Sequence, residues 1–128
     1  MHPTDATPIR ILVADDSEDL RLLLRLTLAH GSRCEIVGEA TDGKRAVDLV
    51  GELHPDVALV DLAMPVMDGL EAIPLMRERS PRTKYLILSG FEQARMQQQV
   101  DACGADAYVQ KGSGLGYLIA VIEGLCPT

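Results

Sequence analysis

The segment Val57-Ala58-Leu59-Val60 is apolar at every position and ends on a carboxylate, Asp61. A strand with one wet face alternates apolar and polar residues. A run with no polar position reads as a strand covered on both faces, as in a parallel sheet between two helix layers. Pro65 and the pair Asp68-Gly69 then turn the chain, which leaves Asp61 at the strand's carboxyl end. In open parallel sheets, ligands bind in the crevice outside those ends. A charged residue there is placed for chemistry, and the other strand ends should supply its neighbours.

Four further segments suit the same sheet. Ile9–Ala14 reads as the first strand and ends in Asp15-Asp16; Cys34–Ala40 alternates imperfectly and reads as the second. Lys84–Ser89 is the fourth strand, and Ala105–Gln110 is the fifth, ending at Lys111. Nothing comparable to these chemistry-bearing ends sits at the opposite edge of the sheet.

Helical segments lie between the strands. Ser17 is a plausible N-cap, with Glu18 and Asp19 in a first turn where the helix dipole favours negative charge. Leu20, Leu23, Leu24 and Leu28 follow at helical spacing, and Gly31 stops the helix. Leu22 and Leu26 widen the apolar stripe beyond what one sheet face requires, which leaves a more deeply buried helix or a dimer face open. The second helix carries Ala46, Val47 and Val50 and ends before His54-Pro55. The third, Gly69–Arg79, turns Leu70, Ile73 and Met76 inward, and Pro74 is expected to kink it or disturb its hydrogen bonds. The fourth, residues 92–102, is polar over Gln97-Gln98-Gln99, and the last follows Gly112-Ser113-Gly114 and buries Leu118, Val121 and Ile122. Strands alternating with helices in this way give an α/β fold, a parallel sheet with right-handed crossovers and helices on both faces.

Composition narrows the function. At 128 residues the chain is one domain, and apolar residues at 47% with aromatics at only 3% call for an aliphatic core. Twelve basic against 19 acidic residues give a net charge of -7, which argues against direct nucleic-acid binding by this chain. Cys34, Cys103 and Cys126 are scattered and suggest neither a disulfide framework nor a zinc site. Residues 1–8 form a polar lead without the basic and apolar regions of a signal peptide, and Arg21 and Arg25 interrupt the Leu-rich run. A cytoplasmic protein without a membrane segment is expected.

The strand ends now give Asp15 and Asp16 after strand one, Asp61 after three, Ser89 after four and Lys111 after five. Carboxylates brought together repel, on the order of 4 kcal/mol per close pair at an effective dielectric of about 20. One divalent cation and the Lys111 ammonium would balance three carboxylates, and hard oxygen ligands suit Mg²⁺. With Asp61 as nucleophile the product would be an aspartyl phosphate. Each residue alone has a blander reading: Asp15-Asp16 as a helix cap, Lys111 as a solvated strand end, Ser89 as a turn hydroxyl and Tyr108 as a packed strand residue. Gly112-x-Gly114-x-Gly116 is a poor dinucleotide loop, because Tyr117 stands where the third glycine belongs.

Taken together, Asp15-Asp16, Asp61-Leu62-Ala63-Met64-Pro65, Asp68-Gly69, Ser89-Gly90 and Tyr108-Val109-Gln110-Lys111 resemble the response-regulator receiver domains of two-component signalling. The resemblance covers residues 9–124, with 125–128 as a tail or the start of a linker. It implies a flavodoxin-like, doubly wound five-stranded parallel sheet in the order 2-1-3-4-5. It makes Asp61 the phosphoacceptor, and Asp16 and Asp61 direct Mg²⁺ ligands with the Ala63 carbonyl, while Asp15 acts through water. Ser89 becomes the switch hydroxyl, Lys111 the phosphoryl partner and Tyr108 the aromatic that follows the switch. The implied partners are a sensor histidine kinase or phosphotransfer protein and an output domain or downstream protein; a homodimer is left open. Gly112 departs from the family pattern, in which Pro commonly follows the lysine; this counts against a cis peptide there and brings the chain nearer NarL/FixJ-type receivers. Two other functions are weighed: a metal-dependent aspartyl-nucleophile phosphatase and a phosphorylation-independent interaction module. Such phosphatases usually carry a second Asp two residues after the nucleophile, and here that position is Ala63.

Overall fold

The computed structural model describes residues 7–127, so most of the polar lead and Thr128 lie outside the described residues. Five strands alternate with five helices: β1 (Ile9–Ala14), α1 (Glu18–Leu28), β2 (Cys34–Ala40), α2 (Gly43–Leu53), β3 (Val57–Val60), α3 (Gly69–Arg79), β4 (Lys84–Ser89), α4 (Gln93–Cys103), β5 (Ala107–Gln110) and α5 (Leu115–Leu125). Every strand pair is parallel and the order is β2-β1-β3-β4-β5, the doubly wound arrangement expected.

The strands sort their residues by parity. Leu12, Ala14, Ala58, Val60, Tyr85, Ile87 and Tyr108 join the core under α2, α3 and α4, whereas Ile11, Val13, Val57, Leu59, Leu86, Leu88 and Val109 join the one under α1 and α5. Burial of each such aliphatic side chain stabilises the fold by about 1.5–3 kcal/mol. The all-apolar β3 lies mid-sheet and is buried at all four positions, which is why it tolerates no polar residue.

Local chemistry sets the element ends. Ser17, Asp42 and Asp68 each accept a backbone N–H three residues on and start α1, α2 and α3. α3 runs unbroken through the exposed Pro74, so the missing N–H disturbs one hydrogen bond without ending the helix. β5 begins two residues later than its sequence suggests, because the Asp106 carboxylate accepts Tyr85 N–H and the Arg77 guanidinium, both at 2.8 Å. Leu70 and Val121 are half-buried rather than fully inward. The Lys111–Gly112 peptide is trans.

Candidate functional site

The loops leaving β1, β3, β4 and β5 converge at one edge of the sheet. Ladder bonds carry the carboxylates there: Asp61 N–H donates to Ala14 O at 2.9 Å, and Asp15 N–H donates to Ala40 O at 3.0 Å. One carboxylate oxygen from each of Asp15, Asp16 and Asp61 lies within 4.8 Å of the others. Lys111 Nζ reaches between two of them, 3.0 Å from Asp15 Oδ2 and 3.1 Å from Asp61 Oδ2. Asp15 and Asp61 are buried and Asp16 is exposed at the mouth.

Close packing fixes the loop after β3. A Cβ on Gly69 would lie 2.5 Å from Asp61 O, and one on Gly43 would lie 2.0 Å from Met67 O, so only glycine lets α3 and α2 approach the Asp61 loop. Gly69 N–H donates to Leu62 O at 3.1 Å, and Ala63 N–H donates to Asp61 Oδ1 at 3.1 Å. Arg21, held by Glu39, donates to the Asp15 carbonyl at 2.7 Å and supports the other wall.

The charges do not balance. Three carboxylates against one ammonium leave two negative charges in excess, and Asp15 Oδ2, sealed from solvent, makes no hydrogen bond of good geometry despite the nearby Lys111. Burial pushes the Asp61 carboxyl above its ordinary range and the Asp15 charge adds to this, while the Ala63 N–H and Lys111 pull it down. Burial lowers Lys111, but hydrogen bonding and attraction to Asp15 and Asp61 outweigh it and hold the ammonium above the usual lysine value. A site of this kind binds cations through hard oxygens and presents a carboxylate nucleophile beside them.

A family model described as the response regulator receiver domain matches residues 11–123. The chain belongs to the response-regulator receiver family. The receiver is 38% identical over 104 residues to the response regulator protein VraR of Staphylococcus aureus, an alignment covering 80% of this chain and 49% of VraR. It therefore spans about half the length of the curated relatives it matches. Among solved structures it is similar to a LuxR-family response regulator from Aurantimonas sp. (TM-score 0.86, 28% identity, covering 93% of this chain and 85% of that one). It is also similar to the signal receiver domain of NarL from Mycobacterium tuberculosis (TM-score 0.86, 29% identity, 96% and 100% covered). The response regulator domain of Thermotoga maritima CheB gives a TM-score of 0.82 at 30% identity, with 92% and 96% covered. Among the described residues, no helix is long and apolar enough to cross a membrane.

The receiver brings Asp15, Asp16, Asp61, Ala63 and Lys111 into one pocket; Ser89 and Tyr108 meet beside it at a residue the sequence did not single out. Phe91 N–H donates to Ser89 Oγ at 3.1 Å, and Tyr108 Oη donates to the Phe91 carbonyl at 2.6 Å. Phe91 thus couples the two across the β4–α4 loop. Val66 was also missed. Its φ is 70°, Met67 N–H donates across it to Pro65 O at 2.7 Å, and its side chain is 78% exposed. That is a γ-turn around a β-branched residue, a conformation no β-branched side chain advertises in sequence.

Proposed function

We propose that Asp61 accepts a phosphoryl group from a sensor histidine kinase or a phosphotransfer protein. A carboxylate oxygen forms the new P–O bond as the donor's P–N bond breaks, and the leaving nitrogen keeps the bonding pair and takes a proton. The observation that carries the reading is the Lys111 ammonium held 3.1 Å from Asp61 in a pocket where carboxylates outnumber cations. Lys111 is then ready to pair with a phosphoryl oxygen.

The donor set fits Mg²⁺: three hard oxygen groups, excess negative charge and a buried oxygen short of a partner. Asp16 and Asp61 with the Ala63 carbonyl would hold the ion directly, and Asp15 through water. Bound there, Mg²⁺ supplies positive charge against the phosphoryl oxygens. Ala63 has no titratable group, so the pocket lacks the acid/base residue that an aspartyl-nucleophile phosphatase needs at that position.

Ser89 Oγ already accepts the Phe91 N–H, which leaves its proton free to donate to a phosphoryl oxygen. Such a bond contributes about 1.5–3 kcal/mol, whereas moving a population from 1:99 to 99:1 takes about 5.5 kcal/mol. Ser89, Lys111 and the loop amides therefore act together, drawing the β4–α4 loop inward. Phe91 moves with Ser89, and the Tyr108 hydroxyl must follow or lose its acceptor. The surface of α4, β5 and α5 changes, and an output domain or downstream protein reads it. The receiver unit in this reading is residues 9–124, working in the cytoplasm.

The test is intact mass after incubation with Mg²⁺ and acetyl phosphate. Wild type should gain one phosphoryl group and Asp61→Asn none; an adduct on Asp61→Asn would move the acceptor elsewhere. A Ser89→Ala protein that still gave the full Tyr108 NMR shift on phosphorylation would defeat the switch.

A further inference from the structure

The peptide joining Asp15 to Asp16 sits past the end of the sheet, and its carbonyl needs a partner there. Asp15 N–H donates to Ala40 O, so the Asp15 backbone faces β2. In a parallel ladder the N–H two residues beyond Ala40 would serve the Asp15 carbonyl next. β2 stops at Ala40, and the residue at that position, Asp42, caps α2 instead. Arg21 takes the missing donor's place. From α1 its Nη1 donates to Asp15 O at 2.7 Å, while its Nε donates to Glu39 Oε1 on β2 at 3.1 Å. Arg25 Nη1 donates to both Glu39 oxygens, at 2.6 and 2.7 Å, and holds Glu39 from the outer side. The Arg21 side chain is only 13% exposed.

This guanidinium differs in role from the Lys111 ammonium. Lys111 meets carboxylate oxygens and supplies charge. Arg21 meets a carbonyl, and its own charge lies against Glu39. What it contributes is direction, because a planar fork fastened to β2 fixes the plane of the peptide it holds. The two acids on that peptide depend on it unequally. Asp15 has side-chain anchors of its own, with Ser17 N–H on Oδ1 at 2.8 Å and Lys111 3.0 Å from Oδ2. The Asp16 carboxylate is exposed at the mouth and makes no hydrogen bond or ion pair among the described residues, so its backbone alone aims it at Asp15 and Asp61.

We propose that Arg21 is a positioning residue for the divalent-cation site, setting the Asp15–Asp16 peptide so that the Asp16 carboxylate faces those of Asp15 and Asp61. This rests on the reading that the three carboxylates bind Mg²⁺. Groups that hold a metal ligand in place without touching the metal typically matter about ten- to a hundredfold in affinity.

Calorimetric titration of Mg²⁺ into the whole chain tests this. Arg21→Met, which keeps an unbranched side chain, should raise the Mg²⁺ dissociation constant about tenfold. The sign is decisive: removing a cation from an acidic pocket favours Mg²⁺ by Coulomb attraction alone, so a guanidinium acting only through its charge predicts tighter binding. Arg21→Lys keeps the charge without the fork and should fall between Arg21→Met and wild type. Glu39→Gln loosens the fork at its far end and should weaken binding by less than Arg21→Met, and Arg25→Met should leave it unchanged. Melting curves identify any variant that fails to fold; if Arg21→Met is lost in this way, an unchanged Glu39→Gln overturns the proposal. Tighter or unchanged binding in a folded Arg21→Met overturns it too, and the ion site itself stands as long as Asp61→Asn abolishes the heat seen with wild type. Wild type and Asp61→Asn titrating alike overturns both the proposal and the ion site beneath it.

Discussion

The two ends of the β-sheet hold buried polar clusters of opposite character. At the carboxyl end, Asp15, Asp61 and Lys111 are short of positive charge, and Asp15 Oδ2 has no well-formed hydrogen bond. At the amino end, Ser80, Thr83 and Tyr85 are buried too, yet each is matched. Thr83 Oγ1 donates to Pro55 O at 2.6 Å, so Ser80 Oγ, also 2.6 Å away, donates to Thr83. His54 Nδ1, 3.2 Å from Ser80 Oγ, must then be the protonated nitrogen, and Tyr85 Oη donates to Ser80 O at 2.9 Å. This chain of hydrogen bonds closes on itself and ties the starts of β3 and β4 together. A closed network holds a fold; an open one is held by the fold for a ligand to complete.

The largest effect should come from opening the closed end. Thr83→Val strands the Pro55 carbonyl and the Ser80 hydroxyl in the core, a loss of roughly 2–5 kcal/mol, measurable by urea unfolding and unchanged by Mg²⁺. The open end should respond in the opposite sense. Mg²⁺ at about a hundredfold excess over its dissociation constant should stabilise wild type by about 2.7 kcal/mol, and Asp61→Asn should lose most of that gain. Equal Mg²⁺ responses in the two proteins would place the ion elsewhere.

The open end was legible in the sequence and the closed end was not. Asp15-Asp16, Asp61 and Lys111 are charged residues at the ends of strand segments, and a charge at that boundary calls for a reason. Ser80, Thr83 and His54 are ordinary turn residues whose burial depends on how α2 and α3 pack, so nothing in their spacing announced the hydrogen-bonded network they form. Phe91 and Val66 escaped for the same cause: one acts through its peptide group and the other through its backbone angle. β3 was the easiest element to read, since four apolar residues in a row exclude an amphipathic strand. The start of β5 was misjudged because Asp106 spends its carboxylate on Tyr85 and Arg77 across the sheet edge.

Acidification should separate the two ends by a smaller amount. The Asp61 carboxyl is raised in the fold, by burial first and the Asp15 charge second, so its contribution to stability is fully present below the ordinary carboxylate range. That contribution is lost as pH rises through the raised value. Without divalent ions, wild type should therefore be less stable than Asp61→Asn at neutral pH, and the gap should narrow as pH falls. Thermal melts of both proteins across that range measure it; a gap that widened on acidification would mean that Asp61 is stabilised as the anion.

Each end also holds one non-glycine residue at positive φ, and substituting glycine should give opposite signs. His54, φ 45°, caps α2, and its ring reaches Ser80 in the closed network. Val66, φ 70°, is exposed in the loop after Asp61. The left-handed region costs an L-residue roughly 1–2 kcal/mol, and a β-branched one lies toward the high end. Glycine removes that cost but adds about 0.5–1 kcal/mol of unfolded-chain entropy. Val66→Gly should therefore stabilise by about 0.5–1 kcal/mol, raising Tm by a few degrees, because the Val66 side chain leaves nothing buried behind. His54→Gly gains less from relief and leaves Ser80 Oγ without its donor, so it should destabilise by about 1 kcal/mol. If both substitutions stabilised, the His54–Ser80 bond would contribute nothing and the amino-end network would close at Ser80. If Val66→Gly destabilised, the Val66 side chain would be holding the γ-turn through contacts of its own, and the loop after Asp61 would be a packed element rather than a strained one.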